Sequence, residues 1–392
     1  MHKFLSAVFL AAAFTACAGG ADFFPVMAWN SAPANLAALK KMRECGFTVA
    51  GFVRPGALKL CHKAGLMAIV SDPRVSNYDW NNVDPQIARS NVTSLVAEVG
   101  SSPAVFGYYL RDEPSAGAFP GLATVAALIR EMAPGKWPYI NLLPNYASAE
   151  QLGTPTYPEY LQKFCTVCLP TILSYDHYAL MDDGSLRNGY WKNLEQMRAA
   201  ARRNGLPFWN IVLGEAHFFY REPTAADLRF EAYSSLAYGV RGLAYFQYFA
   251  PHVGNYRMAA IDQFGNPTPT WGYLQNVNLQ IAALAPTLLQ LTSDDVYHLN
   301  IVPDGCHGST NHDLVTGMES GDFMAGDFTH ADGHRYTLIV NKSVYKSAPC
   351  LPHWAQTPKR VQMVSPYTGA LTDYAGEQSW LAPGQGVLLR VE

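Results

Sequence analysis

Charge is scarce in this sequence. Only 15% of the 392 residues are Asp, Glu, Lys or Arg, and 28 basic against 31 acidic side chains leave a formal charge of −3. Without a basic excess there is no electrostatic footprint for a nucleic-acid partner. With 49% hydrophobic residues the chain is neither disordered nor a coiled coil. Internal repeats and low-complexity segments are also missing. The apolar run Phe4 to Ala16, behind Met1-His2-Lys3, is too short to span a bilayer as a helix. It has the length of a signal-peptide core, so residues 1–21 read as an export signal. Cleavage is expected near Ala16-Cys17-Ala18, or at a lipobox ending in Cys17, which would then carry a lipid anchor to the outer membrane. The expected location is secreted, periplasmic or outer-membrane-anchored in a bacterium.

Cysteine is sparse as well. Beyond Cys17 there are Cys45, Cys61, Cys165, Cys168, Cys306 and Cys350. In an oxidising compartment this even count permits disulfides, and a Cys306–Cys350 bridge would staple the C-terminal region. Cys165-Thr-Val-Cys168 has redox or zinc-like spacing without a second such pair, so a structural role is expected. No His-x-His follows the first strand, no His-x-x-x-His lies on a helix, and no Gly-x-Ser-x-Gly elbow occurs. Neither a catalytic metal, a cofactor nor a serine nucleophile is implied. A His-rich site from Asp176, His177, His217 and His252 is the form a metal-dependent hydrolase would have to take.

What is abundant is aromatic, 12% of the chain, and sugars offer apolar CH faces to such rings. From Phe23 onward short apolar runs alternate with helix-length amphipathic segments, which predicts a parallel sheet with crossover helices. Eight strands are expected: Phe24 to Trp29, Phe47 to Val53, Leu66 to Ser71, Val105 to Asp112, Tyr139 to Leu143, Ile172 to Tyr178, Phe208 to Gly214 and Gly242 to Tyr248. Helices are expected over Asn35 to Glu44, Pro85 to Glu98, Gly121 to Met132, Glu159 to Phe164, Leu186 to Asn204 and Ala225 to Tyr238, with a last one from about Pro267 to Leu291. Eight alternations over residues 22–291 match a (β/α)8 TIM barrel. The period then changes. Val296 to Val302, Asp322 to Phe328, His334 to Lys342, Lys359 to Val364 and Gly386 to Val391 read as short strands of a C-terminal antiparallel β-sandwich over 292–392. Trp354 and Trp380 there are either core anchors or sugar platforms.

The stretch Pro103 to Pro114 is apolar on both faces and ends in Arg111-Asp112-Glu113. Pro114 cannot donate a ladder hydrogen bond, so the strand stops there and presents acids where barrel active sites lie. Other strand ends are similarly polar or aromatic: Trp29-Asn30, Asp72, Asn145-Tyr146, Asp176-His177-Tyr178, Glu215 with His217, and Gln247-Tyr248. Six such ends on one rim predict a carbohydrate site there. Trp29, Trp80, Tyr146, Tyr178, Trp209 and Tyr248 would build its subsites or fill the barrel.

Hydrolysing an acetal needs one protonated and one ionised carboxyl group. Glu113 after strand four and Glu215 after strand seven are the pair that a closed barrel sets across its mouth. A gap of about 5 to 5.5 Å would imply retention. Burial near Tyr109 would raise the acid, and Arg54, Arg111 or His217 would keep the nucleophile ionised. Asp176, Asp72 and Glu222 are the replacements for Glu215.

Asp112-Glu113-Pro114 resembles the Asn-Glu-Pro of the clan A glycoside hydrolases, barrels with the acid/base on strand four and the nucleophile on strand seven. Asp176-His177-Tyr178 resembles their His-x-Tyr strand-six ending, and the passage from Tyr238 through Arg241 to Phe246 resembles barrel glycosidases of galactosidase-like architecture. The resemblance implies a secreted glycosidase for a plant or microbial polysaccharide or its oligosaccharides. Two departures stand out: Asp112 replaces the usual Asn, and strand seven has no strong signature around Glu215. A non-catalytic carbohydrate-binding barrel is the rival that those departures favour.

Overall fold

The computed structural model describes residues 23–375 and 379–392; the leader and Cys17 lie outside them. Eight parallel strands close a barrel in chain order, β8 returning to pair with β1. They are β1 (Val26–Ala28), β2 (Val49–Val53), β3 (Met67–Val70), β4 (Val105–Asp112), β5 (Trp137–Leu142), β6 (Leu173–Asp176), β7 (Phe208–Leu213) and β8 (Leu243–Phe246). The helices around it are α1 (Leu36–Glu44), α2 (Leu58–Ala64), α3 (Pro73–Ser76), α4 (Pro85–Val99), α5 (Phe119–Met132), α6 (Ala149–Leu152), α7 (Tyr157–Cys168), α8 (Tyr190–Asn204), α9 (Ala225–Ala237) and α10 (Pro269–Leu288).

Alternation along each strand splits the apolar residues into two layers. Met27, Val49, Ile69, Phe106, Tyr139, Trp209, Ile211 and Ala244 fill the lumen. Their neighbours Ala28, Ala50, Val105, Tyr108 and Val212 meet the helices. Trp209 therefore fills the barrel and is no subsite. A Cβ on Gly242 would come within 2.3 Å of its indole nitrogen, so glycine is required beside it. Trp80 is likewise buried, against Tyr78.

A β-sandwich follows. Strands β9 (Leu291–Leu299), β11 (Phe323–His330), β12 (Arg335–Asn341), β15 (Val361–Val364), β16 (Leu371–Asp373) and β18 (Gly386–Val391) form one sheet in the order β16-β15-β18-β12-β11-β9. β10 (Val315–Met318) pairs with β14 (Pro352–Trp354), and β13 (Ala348–Pro349) with β17 (Trp380–Leu381), as the opposing layer. The large sheet is apolar on both faces because both are covered. Met324, Leu338, Val340 and Leu388 pack toward the barrel helices, whereas Phe323, Ala325, Ile339, Val387 and Leu389 pack under the two short ladders. β9 starts five residues earlier than the expected Val296 and stops at Leu299, where Asn300 turns into the left-handed region (φ 74°) and leaves Ile301 and Val302 exposed. Trp354 is half-buried against the outer core, and Trp380 is exposed.

The expected Cys306–Cys350 disulfide is absent: both thiols are free. Cys306 lies on the barrel side of the sheet, its sulfur 3.7 Å from the Tyr238 hydroxyl. Cys350 is fully buried in the outer core. Layers packed on a sheet stand about 10 Å apart, beyond the ~7 Å between Cα atoms that a disulfide bridges.

Docking of the two domains is close. Gly326 of β11 lies against α9 so tightly that a Cβ would sit 2.1 Å from the Ala237 carbonyl oxygen. Gly326→Ala should therefore destabilise the protein by about 1 to 3 kcal/mol through backbone displacement, read as a lower midpoint in thermal or urea unfolding. An unchanged midpoint would mean that the interface is looser than this packing.

Candidate active site

The floor of the barrel mouth is aromatic. Phe52 lies 4.5 Å from Trp29 and 4.3 Å from Tyr109 between ring centroids, and Trp29 lies 5.9 Å from Tyr139. Above it sits a polar layer contributed by three consecutive strands. The Tyr139 hydroxyl is 2.7 Å from Ser174 Oγ, which donates to Asn141 Oδ1 at 3.0 Å. This fixes the amide so that Asn141 Nδ2 donates to Asp176 Oδ1 at 2.7 Å and to Asp112 Oδ1 at 3.0 Å.

Glu113 closes the group. Its N–H donates to the Asn141 carbonyl at 2.9 Å, and its φ of 43° is the left-handed conformation that a non-glycine residue adopts only at a cost. Its carboxyl is raised to about 7, first by loss of hydration and then by the charge of Asp112. A hydrogen bond with Asp176 works in the opposite direction. Arg111, Asp112 and Glu113 remain exposed on the rim, so the lost hydration comes from the concave wall around them and not from a covering layer. Asp176 is buried, and its carboxyl is held well above the usual carboxylate range by desolvation and by the charges of Glu113 and Asp112. Glu113 and Asp176 thus share protons as a coupled pair.

Glu215 follows β7. The N–H groups of Gly214 and Glu215 both donate to the Phe246 carbonyl, at 2.5 and 3.1 Å. The Glu215 side chain is completely buried, and neither carboxyl oxygen has a hydrogen-bond partner. Burial alone raises its carboxyl to about 8. The expectation that Arg54, Arg111 or His217 holds it ionised fails. His217 turns its Nδ1 to the Glu215 carbonyl at 3.2 Å and stacks on Tyr256, with ring centroids 5.4 Å apart. Tyr178 lies between the two acidic regions, its ring 5.1 Å from Phe246 and 5.5 Å from His217, its hydroxyl raised by burial and by Asp176.

The three replacements for Glu215 are engaged elsewhere. Asp72 caps α3 and pairs with Arg74 at 2.8 Å, so it leaves the site altogether. Glu222 pairs with Arg257 at 2.9 Å. Asp176 hydrogen-bonds to Glu113, whereas paired glycosidase carboxyls stand about 5 to 9.5 Å apart.

Other expected ligands are scaffold. Asn145 spends its groups on Asn193, Gly189 and Gln196. His177 is enclosed, bonded through Nδ1 to Asn193 at 3.0 Å and lowered by burial to about 4. Asn30 ties the β1 end to the Phe249 carbonyl. Tyr248 belongs to the layer between the barrel and its helices: it packs on Phe47, and its hydroxyl accepts from Trp271 Nε1. Gln247 is half-buried behind a cis peptide bond to Phe246. Tyr146 is on the rim. Among the described residues, no three of His, Cys, Asp and Glu are grouped as metal ligands. Sequence reasoning missed Asn141, Ser174, Arg187 and Tyr220. The first two carried a signal: polar residues at lumen-facing positions of apolar strands.

No family model matches the chain, and no curated protein matches it by sequence. Its fold does match solved structures. A family 5 glycoside hydrolase from Bacteroides vulgatus is 11% identical, with a TM-score of 0.58 over 94% of this chain and 88% of that one. A second structure, described as a glycoside hydrolase, has a TM-score of 0.57 and 11% identity over 94% and 92%. The β-galactosidase of the haloarchaeon Halorubrum lacusprofundi has a TM-score of 0.50 and 12% identity over 67% of this chain. The chain spans 59% of that enzyme, and 60% of the β-galactosidase from Marinomonas ef1. The architecture shared with the first three is the TIM barrel, and with the first two the match runs on through the C-terminal domain.

Two predictions concern charge. Removing the Asp112 charge lowers the carboxyl it repels, so Asp112→Asn should move the NMR-detected titration of Glu113 to lower pH. No movement would show that Asp112 is too far away or too well screened. For Glu215 the sign is opposite to that of a salt-bridged acid. A carboxyl raised from its ordinary 4.5 to about 8 keeps a proton when folded that the unfolded chain has lost. Stability therefore falls as pH rises from about 4.5 to about 8. Glu215→Gln should remove that slope and stabilise the protein at pH 8 by roughly 1 to 3 kcal/mol. Equal unfolding midpoints for the two proteins across this range would contradict the burial.

Proposed function

We propose that the chain is an exported glycoside hydrolase acting on a carbohydrate chain with retention, with Glu113 as acid/base and Glu215 as nucleophile. The observation that carries the reading is Glu113, an acid at the end of β4, strained, open to the mouth and raised to about 7. A general acid works best with a pKa near the working pH, where it is still protonated and still a good donor. Loss of hydration and then the charge of Asp112 set that value, against the hydrogen bond from Asp176. Export is supported by the leader-like Phe4 to Ala16.

Glu215 supplies the complementary property. A carboxylate with no hydrogen bonds in a dry site is unscreened, so positive charge developing on an anomeric carbon interacts with it strongly. Without substrate the order is the reverse of the one the reaction needs, Glu215 at about 8 above Glu113 at about 7. The reacting state therefore has its proton on Glu113, and the positive charge developing on the sugar is what holds Glu215 ionised. The aromatic floor of Trp29, Phe52 and Tyr109 gives a sugar ring an apolar surface to stack on.

Glu113→Gln should slow glycosides with poor leaving groups by about 10²- to 10⁴-fold and activated aryl glycosides far less. Glu215→Gln should abolish both activities. Azide should rescue the alanine variants, giving a glycosyl azide of retained configuration from Glu113→Ala and of inverted configuration from Glu215→Ala. If Glu215→Gln turns over like the parent, the nucleophile is misassigned. If both variants do, the clan A assignment of the pair falls; if the parent binds glycans without cleaving any, the barrel is a carbohydrate-binding protein.

A further inference from the structure

The loop after β6 folds back on itself through a Leu180–Leu186 bridge and an Arg187 N–H bond to the Ala179 carbonyl at 2.7 Å. It brings Arg187 over the face of Tyr146, 3.6 Å from the ring centroid. Tyr220 completes the assembly, accepting from Arg187 and hydrogen-bonding to the Tyr146 hydroxyl. The ring of Tyr146 stands edge-on to His177 at 5.0 Å, and its hydroxyl feels the charge of Asp176. The guanidinium is therefore fixed next to the acid cluster, at the edge of the same mouth.

Arg187 is half-buried and has one side-chain hydrogen bond, to a phenol. Among the described residues no carboxylate lies within ion-pairing distance of it. The contrast with Arg221 on the neighbouring loop is direct: that side chain pairs with Asp227 at 2.6 Å and also bonds the carbonyls of Met181 and Ser185. A guanidinium has five N–H donors in a planar fork. On Arg187 most of them face no protein acceptor, and they border an open cavity of about 530 Å3 lined also by Tyr146, Ser185, Asn188 and Phe219. That size falls within the ~300 to 1,000 Å3 of small-molecule sites. Stacking on Tyr146 fixes the fork before any ligand arrives, which lowers the entropy cost of binding.

We infer that this cavity is a subsite for the carboxylate of a hexuronic acid unit in the sugar chain, held by the Arg187 fork, so that the substrate is an acidic glycan. The inference rests on the glycosidase reading of the same mouth. A carboxylate matches the planar fork bidentately, and the cation offsets the repulsion that Asp112 would exert on an anionic chain entering the site. Asn188 on the same wall is placed to take a sugar hydroxyl, and Phe219 to take an apolar face, whereas the Ser185 hydroxyl is spent on Asp183.

The test uses the Glu113→Gln protein as a trap on matched oligosaccharides that differ only at C6: neutral, uronate and 6-sulfated. Uronate members should bind at least tenfold tighter than neutral ones, with an affinity that falls as salt is raised. Adding Arg187→Met should erase that preference, and Arg187→Lys should keep part of it. Neutral chains bound as tightly as uronates, a preference that survives Arg187→Met, or a preference for sulfate over carboxylate would each overturn the subsite. If the parent still hydrolyses neutral glycans in that event, the glycosidase reading stands alone. Binding and hydrolysis of no glycan at all would overturn both.

Discussion

A single amide holds the mouth of this barrel together. Asn141 donates to Asp112 and to Asp176 from the same nitrogen, and it can do so only because Ser174 and Tyr139 fix the orientation of its side chain from below. Without that donor on β5, the three carboxyl groups at the ends of the flanking β4 and β6 would lower their mutual repulsion by taking up protons or by swinging apart. With it, Asp112 stays within reach of Glu113 and Asp176 stays buried, so the charge that lifts Glu113 is a fixed part of the scaffold. Asp112, standing where the resembled motif has an asparagine, supplies a charge that adds to the lift of Glu113.

The scaffold that fixes these groups depends on α9, a helix that serves two cores. Ten of its residues are buried, including Glu231, Ser234 and Ser235, and its apolar residues are not confined to one stripe. A helix buried all round is expected where two layers cover it. Toward the barrel, Ser235 accepts from Asn210 of β7 and Glu231 accepts from the Leu213 N–H, two residues before Glu215. Toward the sandwich, the same helix meets Gly326 without room for a methyl group. The C-terminal sheet thereby braces the helix that positions the strand bearing Glu215.

The barrel was legible because its strands are apolar on both faces and its helices are not, a contrast that survives in composition alone. Barrel strand ends shifted by at most two residues, within the usual blur of element boundaries. The shortest sandwich ladders, β10, β13, β14, β16 and β17, were invisible: two to four residues, two of them carrying proline, have no period to detect. At the site, chain position located the acids but could not sort ligands from scaffold. Asp72, Asn145 and His177 look like site residues because they are polar at strand ends, yet cap and loop bonds consume them. Tyr248 was misread because β8 ends at Phe246, so strand alternation no longer gives the facing direction two residues further on. Arg187 could not be found at all, since its place depends on how a loop folds back.

Stability is given up around one end of the barrel. Of the six non-glycine residues in the left-handed region among the described residues, Phe52, Glu113, Phe218 and Met258 lie at the ends of β2, β4, β7 and β8 or in the loops that follow, all on the mouth side. Each costs roughly 1 to 3 kcal/mol unless its surroundings compel it. Here they do. Phe52 is wedged between Trp29 and Tyr109, Glu113 is held by the Asn141 carbonyl, and Phe218 is clamped by reciprocal bonds with Asn255 at 2.7 and 2.8 Å. Glu215 adds an unpartnered buried carboxyl on the same side. A fold selected for stability alone would relax each of these with a glycine or an amide. Their concentration at one rim, above a lumen packed with Trp209, Tyr139 and Phe106, fits a scaffold whose excess packing energy is spent on keeping strained and unsolvated groups in place until a substrate meets them.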